Sequence, residues 1–176
     1  VLIDIPKDVQ VAQATLDTAE PAQVASSRYN PPSTAPLDDV LDAIDMLATA
    51  ERPVFYTGGG VINSGPRATR LLRELQDLTG APVTSTLMGL GAFPADHPDW
   101  LGMLGMHGTY EANMAMNKCD LMVCIGARFD DRVTGRLDAF SPDSKKIHID
   151  IDRASINKVV RVDMALLGDC AAVLEQ

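Results

Sequence analysis

Glycines and clustered charges, rather than an acid–base couple, are the residues of this sequence that could do chemistry. Gly58, Gly59 and Gly60 follow the apolar run Pro53-Val54-Phe55-Tyr56-Thr57, and Gly126 follows Leu121-Met122-Val123-Cys124-Ile125. Glycine lets backbone approach a ligand, or another segment, where a Cβ would collide. Free N–H groups at a helix start beyond such a turn can face an anion. The triplet is not the G-x-G-x-x-G fingerprint, because Asn63 stands where the third glycine would be. A tight strand-to-helix turn and a ligand-cradling loop both account for it.

The segment Arg128-Phe129-Asp130-Asp131-Arg132-Val133 sets two arginines and two aspartates close together. Two readings stand level: a solvated loop with local ion pairs, each worth little, or a loop that grips an anionic ligand through guanidinium groups. Asp150 ends the run Lys146-Ile147-His148-Ile149-Asp150-Ile151. Its carboxylate could accept hydrogen bonds from a ribose or cap the helix starting near Arg153. Asp152 is the better placed cap, which leaves Asp150 for a ligand. His107, in Met106-His107-Gly108, reads as structural more readily than catalytic. His97, His107 and His148 lack ligand-like spacing, and no Ser-His-Asp order, P-loop or zinc pattern occurs. The expectation is a binding surface with no catalytic residue and no metal ligand.

The elements that must position these residues alternate in type. Leu37, Val40, Leu41, Ile44 and Leu47 fall at helical spacing, opposite Asp38, Asp39, Asp42 and Asp45. Strands are predicted at 53–57, 82–85, 121–125, 146–151 and 162–167. A second helix is predicted from Pro66, a favoured first position, to Gly80, a favoured stop. A third covers about 109–118. Short apolar strands alternating with amphipathic helices predict an α/β fold, a parallel sheet with helices on both faces. Ligands of such sheets sit at the carboxyl ends of the strands. Those ends are Thr57 to Gly60, Ser85-Thr86-Leu87, Gly126-Ala127-Arg128, Asp150-Ile151-Asp152 and Gly168-Asp169.

The 176 residues suit one domain. A net charge of −9 argues against a nucleic-acid partner, which would need a basic face. It leaves a single nucleotide open, since backbone amides can hold phosphate. Cys119, Cys124 and Cys170 form no metal or disulfide framework and point to a reducing compartment. No apolar run approaches the ~20 residues of a membrane span. Val1 to Ile5 reads as a strand ended by Pro6, and the lack of an initiator Met predicts a segment of a longer chain. Residues 7–36, with Pro21, Pro31, Pro32 and Pro36 among serines and threonines, read as an extended linker.

Taken together, the loops resemble the catalytic subunit of the acetohydroxyacid synthases, also called acetolactate synthases. The matching segments are Thr57-Gly58-Gly59-Gly60-Val61, Thr84 to Gly91, Leu104-Gly105-Met106-His107-Gly108, Gly126 to Gly135 and His148-Ile149-Asp150-Ile151-Asp152. The resemblance covers nearly the whole chain, and the Arg-Phe-Asp-Asp-Arg-Val-Thr-Gly run is specific to the biosynthetic, FAD-containing branch. It implies that residues 1–6 close a pyrimidine-binding domain, 7–36 form the interdomain linker, and 37–176 form a central FAD-binding domain. The implied fold is a Rossmann-like six-stranded parallel sheet.

By the same resemblance, Gly58, Gly59 and Gly60 line FAD. Thr86, Leu87 and Met88 form a second wall, and Leu104, Gly105, Met106 and His107 a third. Gly126, Ala127, Arg128, Asp130, Arg132 and Val133 lie beneath the dinucleotide. Asp150 and Ile151 match the adenosine end, with Gly168, Asp169 and Cys170 nearby. Arg132 also matches a position at the mouth of the active-site channel. The implied FAD is not used in net redox chemistry. The whole enzyme is implied to use thiamine diphosphate and magnesium, to decarboxylate pyruvate and condense it with a second 2-keto acid, and to serve branched-chain amino-acid biosynthesis. The glutamate that activates thiamine diphosphate, and the motif that holds magnesium, are expected outside this segment, which is therefore expected to be inactive alone. The implied partners are the other domains of the same chain, a second or further copies as homodimer or homotetramer, and a regulatory subunit. The implied location is cytoplasmic in bacteria and organellar in eukaryotes. Two other readings remain open. One is a domain of a glyoxylate carboligase or pyruvate oxidase type enzyme. The other is a scaffold domain with an empty site.

Overall fold

The computed structural model describes residues 3–15 and 30–176. The chain divides into two units, Val1–Asn30 and Pro31–Gln176. The first contains helix α1 (Lys7–Val11). Residues 3–5 hold no strand, while Val1 and Leu2, the rest of the strand predicted there, lie outside the described residues. A strand needs a neighbour to pair its backbone groups, and among the described residues none pairs with residues 3–5. Of the predicted linker, residues 16–29 lie outside the described residues.

The second unit carries helix α2 (Leu37–Thr49), strand β1 (Pro53–Thr57), and helices α3 (Gly59–Asn63) and α4 (Pro66–Thr79). Strands β2 (Val83–Ser85) and β3 (Trp100–Met103), helix α5 (Tyr110–Lys118) and strand β4 (Leu121–Ile125) follow. Helix α6 (Asp131–Thr134), strands β5 (Lys145–Asp150) and β6 (Met164–Leu167), and helix α7 (Cys170–Glu175) complete it. The six strands form one sheet in the order β3-β2-β1-β4-β5-β6. Every pairing is parallel. The strand order reverses between β1 and β4, the topological switch point of this architecture.

Period-two alternation divides the core between the two faces. Phe55, Val83, Val123, Ile125, Ile147 and Ile149 pack with Val40 and Ala43 of α2, Ala68 and Leu72 of α4, and Val173 of α7. Val54, Tyr56, Met122 and Cys124 pack on the other face with Ala112 and Met116 of α5 and with Phe129. The sheet is therefore a middle layer with helices on both sides.

Local chemistry sets the helix limits. Pro66 opens α4, and Gly80 closes it at φ 66° in the left-handed region. Thr109 caps α5 by accepting from the Ala112 amide at 3.1 Å. Helix α1 lies in the stretch read as an extended linker, α6 and α7 have no predicted counterpart, and β3 and α3 depart from the sequence reading as well. Strand β3, Trp-Leu-Gly-Met, is half-buried along its length and has Gly102 at φ 84°, so no apolar period marks it. Helix α3 begins inside the triple glycine, where low helix propensity predicts a loop. Its Gly60 amide donates to the Gly126 carbonyl at 2.9 Å, so contact with the β4 loop compensates for that propensity.

Helix α2 forms where predicted, yet Leu37, Leu41 and Ile44 stay exposed while Val40 and Ala43 are buried. The face of α2 that carries Val40 and Ala43 is the one packed into the core of the sheet. Between α2, α4 and α7 lies an open cavity of about 1090 Å³, lined by Ile44, Leu47, Leu71, Leu75, Leu78 and Leu174 among others. It is apart from the carboxyl ends of the strands.

Asp120, just before β4, closes the turn into β1. Its two oxygens accept from the Glu51 amide at 2.7 Å and the Arg52 amide at 2.8 Å. Partial desolvation pushes its pKa up, but these amides and the Arg52 charge outweigh that and hold it below the ordinary carboxylate value. A carboxylate depressed in the folded state adds stability above its unfolded pKa of about 3.9, and that stability is lost as pH falls through the lower folded value. Asp120→Asn is therefore expected to lower the Tm at pH 6, with the gap to wild type closing as the pH falls below about 4. Thermal melts of both proteins at the two pH values check this; a gap of constant size would contradict it.

Candidate functional site

The loops at the carboxyl ends of the strands form one continuous rim, held by main-chain contacts. Beyond β1, the Gly58 amide donates to Ile125 O and the Gly60 amide to Gly126 O, both at 2.9 Å. An added Cβ on Gly60 would lie 2.6 Å from the Gly126 Cα, and one on Gly58 would strike the Gly126 carbonyl. The glycines at the switch point thus let the β1 and β4 loops close on each other. Their reason for being glycine is this mutual approach, whatever ligand lies above.

The β2 loop joins the rim through the Thr86 amide, which donates to Thr57 O at 2.9 Å. Gly89 fits so close beneath β1 that a Cβ would stand 2.6 Å from Thr57 O. Thr86 also accepts from the Gly89 amide at 3.1 Å, so its hydroxyl is engaged within the loop. Leu87 and Met88 are left exposed on top.

The third wall is fixed by Asn113 of α5. Its Oδ1 accepts from the Gly105 amide at 2.9 Å, and its Nδ2 donates to the Gly105 carbonyl at 3.0 Å. The Met106 amide then donates to Arg132 O at 2.8 Å, linking this loop to the charged one. Met106 and His107 face outward, whereas Leu104 is buried in the core.

In the charged loop Arg128 pairs with Asp130 at 3.2 Å and Arg132 with Asp131 at 3.1 Å, all four exposed. Each such pair is worth about 0–1 kcal/mol. A phosphate accepting from a guanidinium contributes about 1.5–3 kcal/mol, so the pairs would yield to an anionic ligand. The structure shows the ion-paired arrangement, and the strength of the pairs does not stand in the way of the other reading. Phe129, between them, is driven into the core with φ 54° and is almost fully buried. Ala127 is likewise buried, and Val133 is half-buried.

At the far end of the rim, Asp150 is nearly buried. Its Oδ1 accepts from the Asp152 amide at 2.8 Å. Asp152 caps the following turn by accepting from the Ala154 amide at 2.9 Å, the role expected of it. Ile151 is exposed beside them. Gly168, Asp169 and Cys170 are engaged internally. Asp169 caps α7, and its two carboxylate oxygens, at 2.7 and 2.9 Å, share the single Ser64 hydroxyl donor. The Asp169 amide donates to Ser33 O at 2.9 Å. Cys170 is buried against Gly126, and burial, with Asp169 and Asp150 nearby, pushes its thiol up to about 12. Such a thiol is not a nucleophile near neutral pH.

The structure therefore brings Met88, His107, Arg128, Asp130, Arg132 and Ile151 to the exposed rim. It turns the side chains of Leu104, Ala127 and Cys170 into the core. Sequence reasoning passed over Asn113, which organises the third wall. It also passed over Phe129 and His148 beneath the charged loop. The signal for His148 is an imidazole within an apolar strand, a position that requires a partner. Among the described residues no group of His, Cys, Asp or Glu could hold a metal ion. Among the described residues no helix is long and apolar enough to cross a membrane.

Comparison with known proteins agrees with this geometry. Residues 40–176 match the family model "Thiamine pyrophosphate enzyme, central domain". The chain is 44% identical over its whole length to the acetolactate synthase isozyme 3 large subunit of Escherichia coli, of which it covers 30%. It is 48% identical to the isozyme 2 large subunit of the same organism, with 99% of the chain and 30% of the relative covered. It is 47% identical to the probable acetolactate synthase large subunit of Methanocaldococcus jannaschii, with 98% and 29% covered. The chain thus spans under a third of the length of these relatives. With a parallel sheet of order β3-β2-β1-β4-β5-β6 and a family match over most of its length, the chain belongs to the family of thiamine pyrophosphate enzyme central domains.

Proposed function

We propose that this chain is the central, FAD-holding domain of an acetolactate synthase large subunit. Residues 37–176 are the domain and 7–36 its linker. The observation that carries the reading is the rim itself. Five loops converge at the strand ends around the β1/β4 switch point, where ligands of such sheets lie. Together they offer two cationic side chains, Arg128 and Arg132, exposed apolar surface at Leu87, Met88 and Met106, and a nearly buried carboxylate at Asp150. Cationic groups suit a diphosphate, apolar surface suits a flavin ring, and a carboxylate suits ribose hydroxyls. Gly59 has only Met88 near it, a Cβ there lying 3.3 Å from Met88 Cβ, so its backbone face is open to a ligand.

On this reading bound FAD supplies an extended aromatic and diphosphate scaffold rather than electrons. The residues of this chain bind and orient it. Arg128 and Arg132 would hold the diphosphate in place of Asp130 and Asp131, Asp150 would accept from the ribose, and Leu87 and Met88 would offer apolar surface to the ring. Thiamine diphosphate and magnesium are assigned to other parts of the whole enzyme. The whole enzyme decarboxylates pyruvate and joins the product to a second 2-keto acid. Its partners are further copies of itself and a regulatory subunit, and its location is cytoplasmic in a bacterium or organellar in a eukaryote.

A scaffold domain without ligand is the second reading. It is favoured by the internal use of Gly58, Gly60, Gly126, Gly168, Asp169 and Cys170, all of which have structural reasons for their identity. Titration of the purified protein with FAD, followed by flavin fluorescence and calorimetry, separates the two. Saturable binding is expected, and Arg128→Ala or Arg132→Ala should each weaken it about 5–30-fold, the charge-assisted bond less the ion pair given up. No binding at high micromolar FAD would leave the scaffold reading standing.

A further inference from the structure

Strands β1, β4 and β5 set Tyr56, Cys124 and His148 side by side in a cross-strand row. The row faces the loop that carries Arg128. His148 is fully buried, and its Nε2 lies 2.7 Å from the Ala127 carbonyl oxygen. A carbonyl oxygen only accepts, so Nε2 bears the proton and Nδ1 keeps a lone pair. Among the described residues Nδ1 has no partner, which agrees with that tautomer. The Cys124 thiol donates to the same oxygen at 3.3 Å. Asp150 Oδ2, at 3.6 Å from Nε2, is too far to compete for the proton.

The oxygen that receives both donors belongs to the first turn of the charged loop. On either side of it, Gly126 stands at φ 62° and Phe129 at φ 54°. Glycine enters the left-handed region freely, but phenylalanine does not, so something beyond local preference holds Phe129 there. The Phe129 ring contributes by packing edge-on against His148, with centroids 5.2 Å apart. His148 therefore meets the loop twice, once by hydrogen bond and once by ring contact.

We propose that His148 is a positioning residue for the Arg128–Gly135 loop. Its Nε2–H fixes the Ala127 carbonyl and so sets the direction in which Arg128 and Arg132 are presented. The consequence for flavin affinity rests on the function proposed above, while the consequence for the loop does not.

Three measurements test it. Ring-nitrogen NMR of the wild-type protein should show the Nε2–H tautomer with a slowly exchanging proton; the Nδ1–H tautomer would overturn the proposal. His148→Phe keeps an aromatic ring against Phe129 and removes the donor, whereas His148→Gln returns a donor near the Nε2 position. Without flavin, tryptic cleavage after Arg128 and Arg132 should rise about 10-fold in His148→Phe and stay within about 2-fold of wild type in His148→Gln. Cleavage after Arg73, in the exposed face of α4, should not change in either, which separates loop release from general unfolding. Equal loop cleavage in the two variants would refute the role of the donor. Should His148→Phe fail to fold, Cys124→Ala removes the second donor alone and is expected to give about a 3-fold rise confined to the same two sites. No rise there, or a rise at Arg73 as well, would count against the proposal. Flavin affinity should fall in the same order as the loop opens. If wild type takes up no flavin, the cofactor reading fails while the cleavage result still decides the role of His148.

Discussion

Gly58→Ala is expected to destabilise the domain by about 3 kcal/mol, at the upper end of the usual cost of overpacking. The backbone of Gly58 is ordinary, with φ −128°, so no conformational strain enters. The cost is collision alone. A Cβ there would strike the Gly126 carbonyl and lie 2.6 Å from Ala127 Cβ and 2.7 Å from Ala127 Cα. These are backbone or backbone-proximal atoms with no rotamer to move into. Relief requires the β1 and β4 loops to part, which breaks the 2.9 Å bonds from Gly58 to Ile125 and from Gly60 to Gly126. Gly80→Ala is the matched comparison. Gly80 stands at φ 66° with nothing within 4 Å of an added Cβ. It should therefore cost only the left-handed strain, about 1–2 kcal/mol. Urea unfolding of both variants measures the difference; equal costs would mean that the switch-point loops separate freely. On the proposed flavin-holding function, Gly58→Ala should also impair that binding more than Gly80→Ala, because only Gly58 lies in the rim.

This pair of glycines shows what the sequence could and could not disclose. Gly80 was legible, because a glycine after a helical stripe ends the helix, a local rule. The position of Gly58 at a strand end was legible too, and so was the place of the rim. The reason for its lacking a side chain was not, since the atoms it avoids lie some seventy residues away in the β4 loop. The same boundary runs through the rest of the fold. Strands β1, β4 and β5 are apolar runs and declare themselves. Strand β3 is half-buried and interrupted by Gly102, and it exists through its register with β2. In the site, Arg128 and Arg132 stand out by charge. Asn113 does not, because an asparagine in a helix looks like solvent-facing polarity until Gly105 is seen folded against it. Residues on the exposed rim were visible as types, and residues that hold those types in place were visible only as contacts.

Phe129 joins both aspects, and its loss is expected to have the largest effect. The ring is almost fully buried and meets Tyr56, Phe140 and His148 edge-on, at centroid distances of 5.5, 6.1 and 5.2 Å. Truncating such a ring costs about 3–5 kcal/mol in transfer and cavity terms. The residue also sits at φ 54°, a conformation that costs an L-residue about 1–2 kcal/mol and that glycine adopts freely. Two truncations therefore separate packing from backbone. Phe129→Ala loses the ring and keeps the strain. Phe129→Gly loses the ring and one methyl more, but sheds the strain. At an ordinary buried position glycine would be the less stable of the two by about 1 kcal/mol. Here it is expected to equal or exceed alanine, with both well below wild type in chemical denaturation. Alanine clearly more stable than glycine would show that Phe129 relaxes to negative φ once its ring is gone. In that case the left-handed turn is imposed by the ring's burial alone. If glycine is the better replacement, the turn persists without the ring, and the donors to the Ala127 carbonyl, from His148 and Cys124, are what keep it.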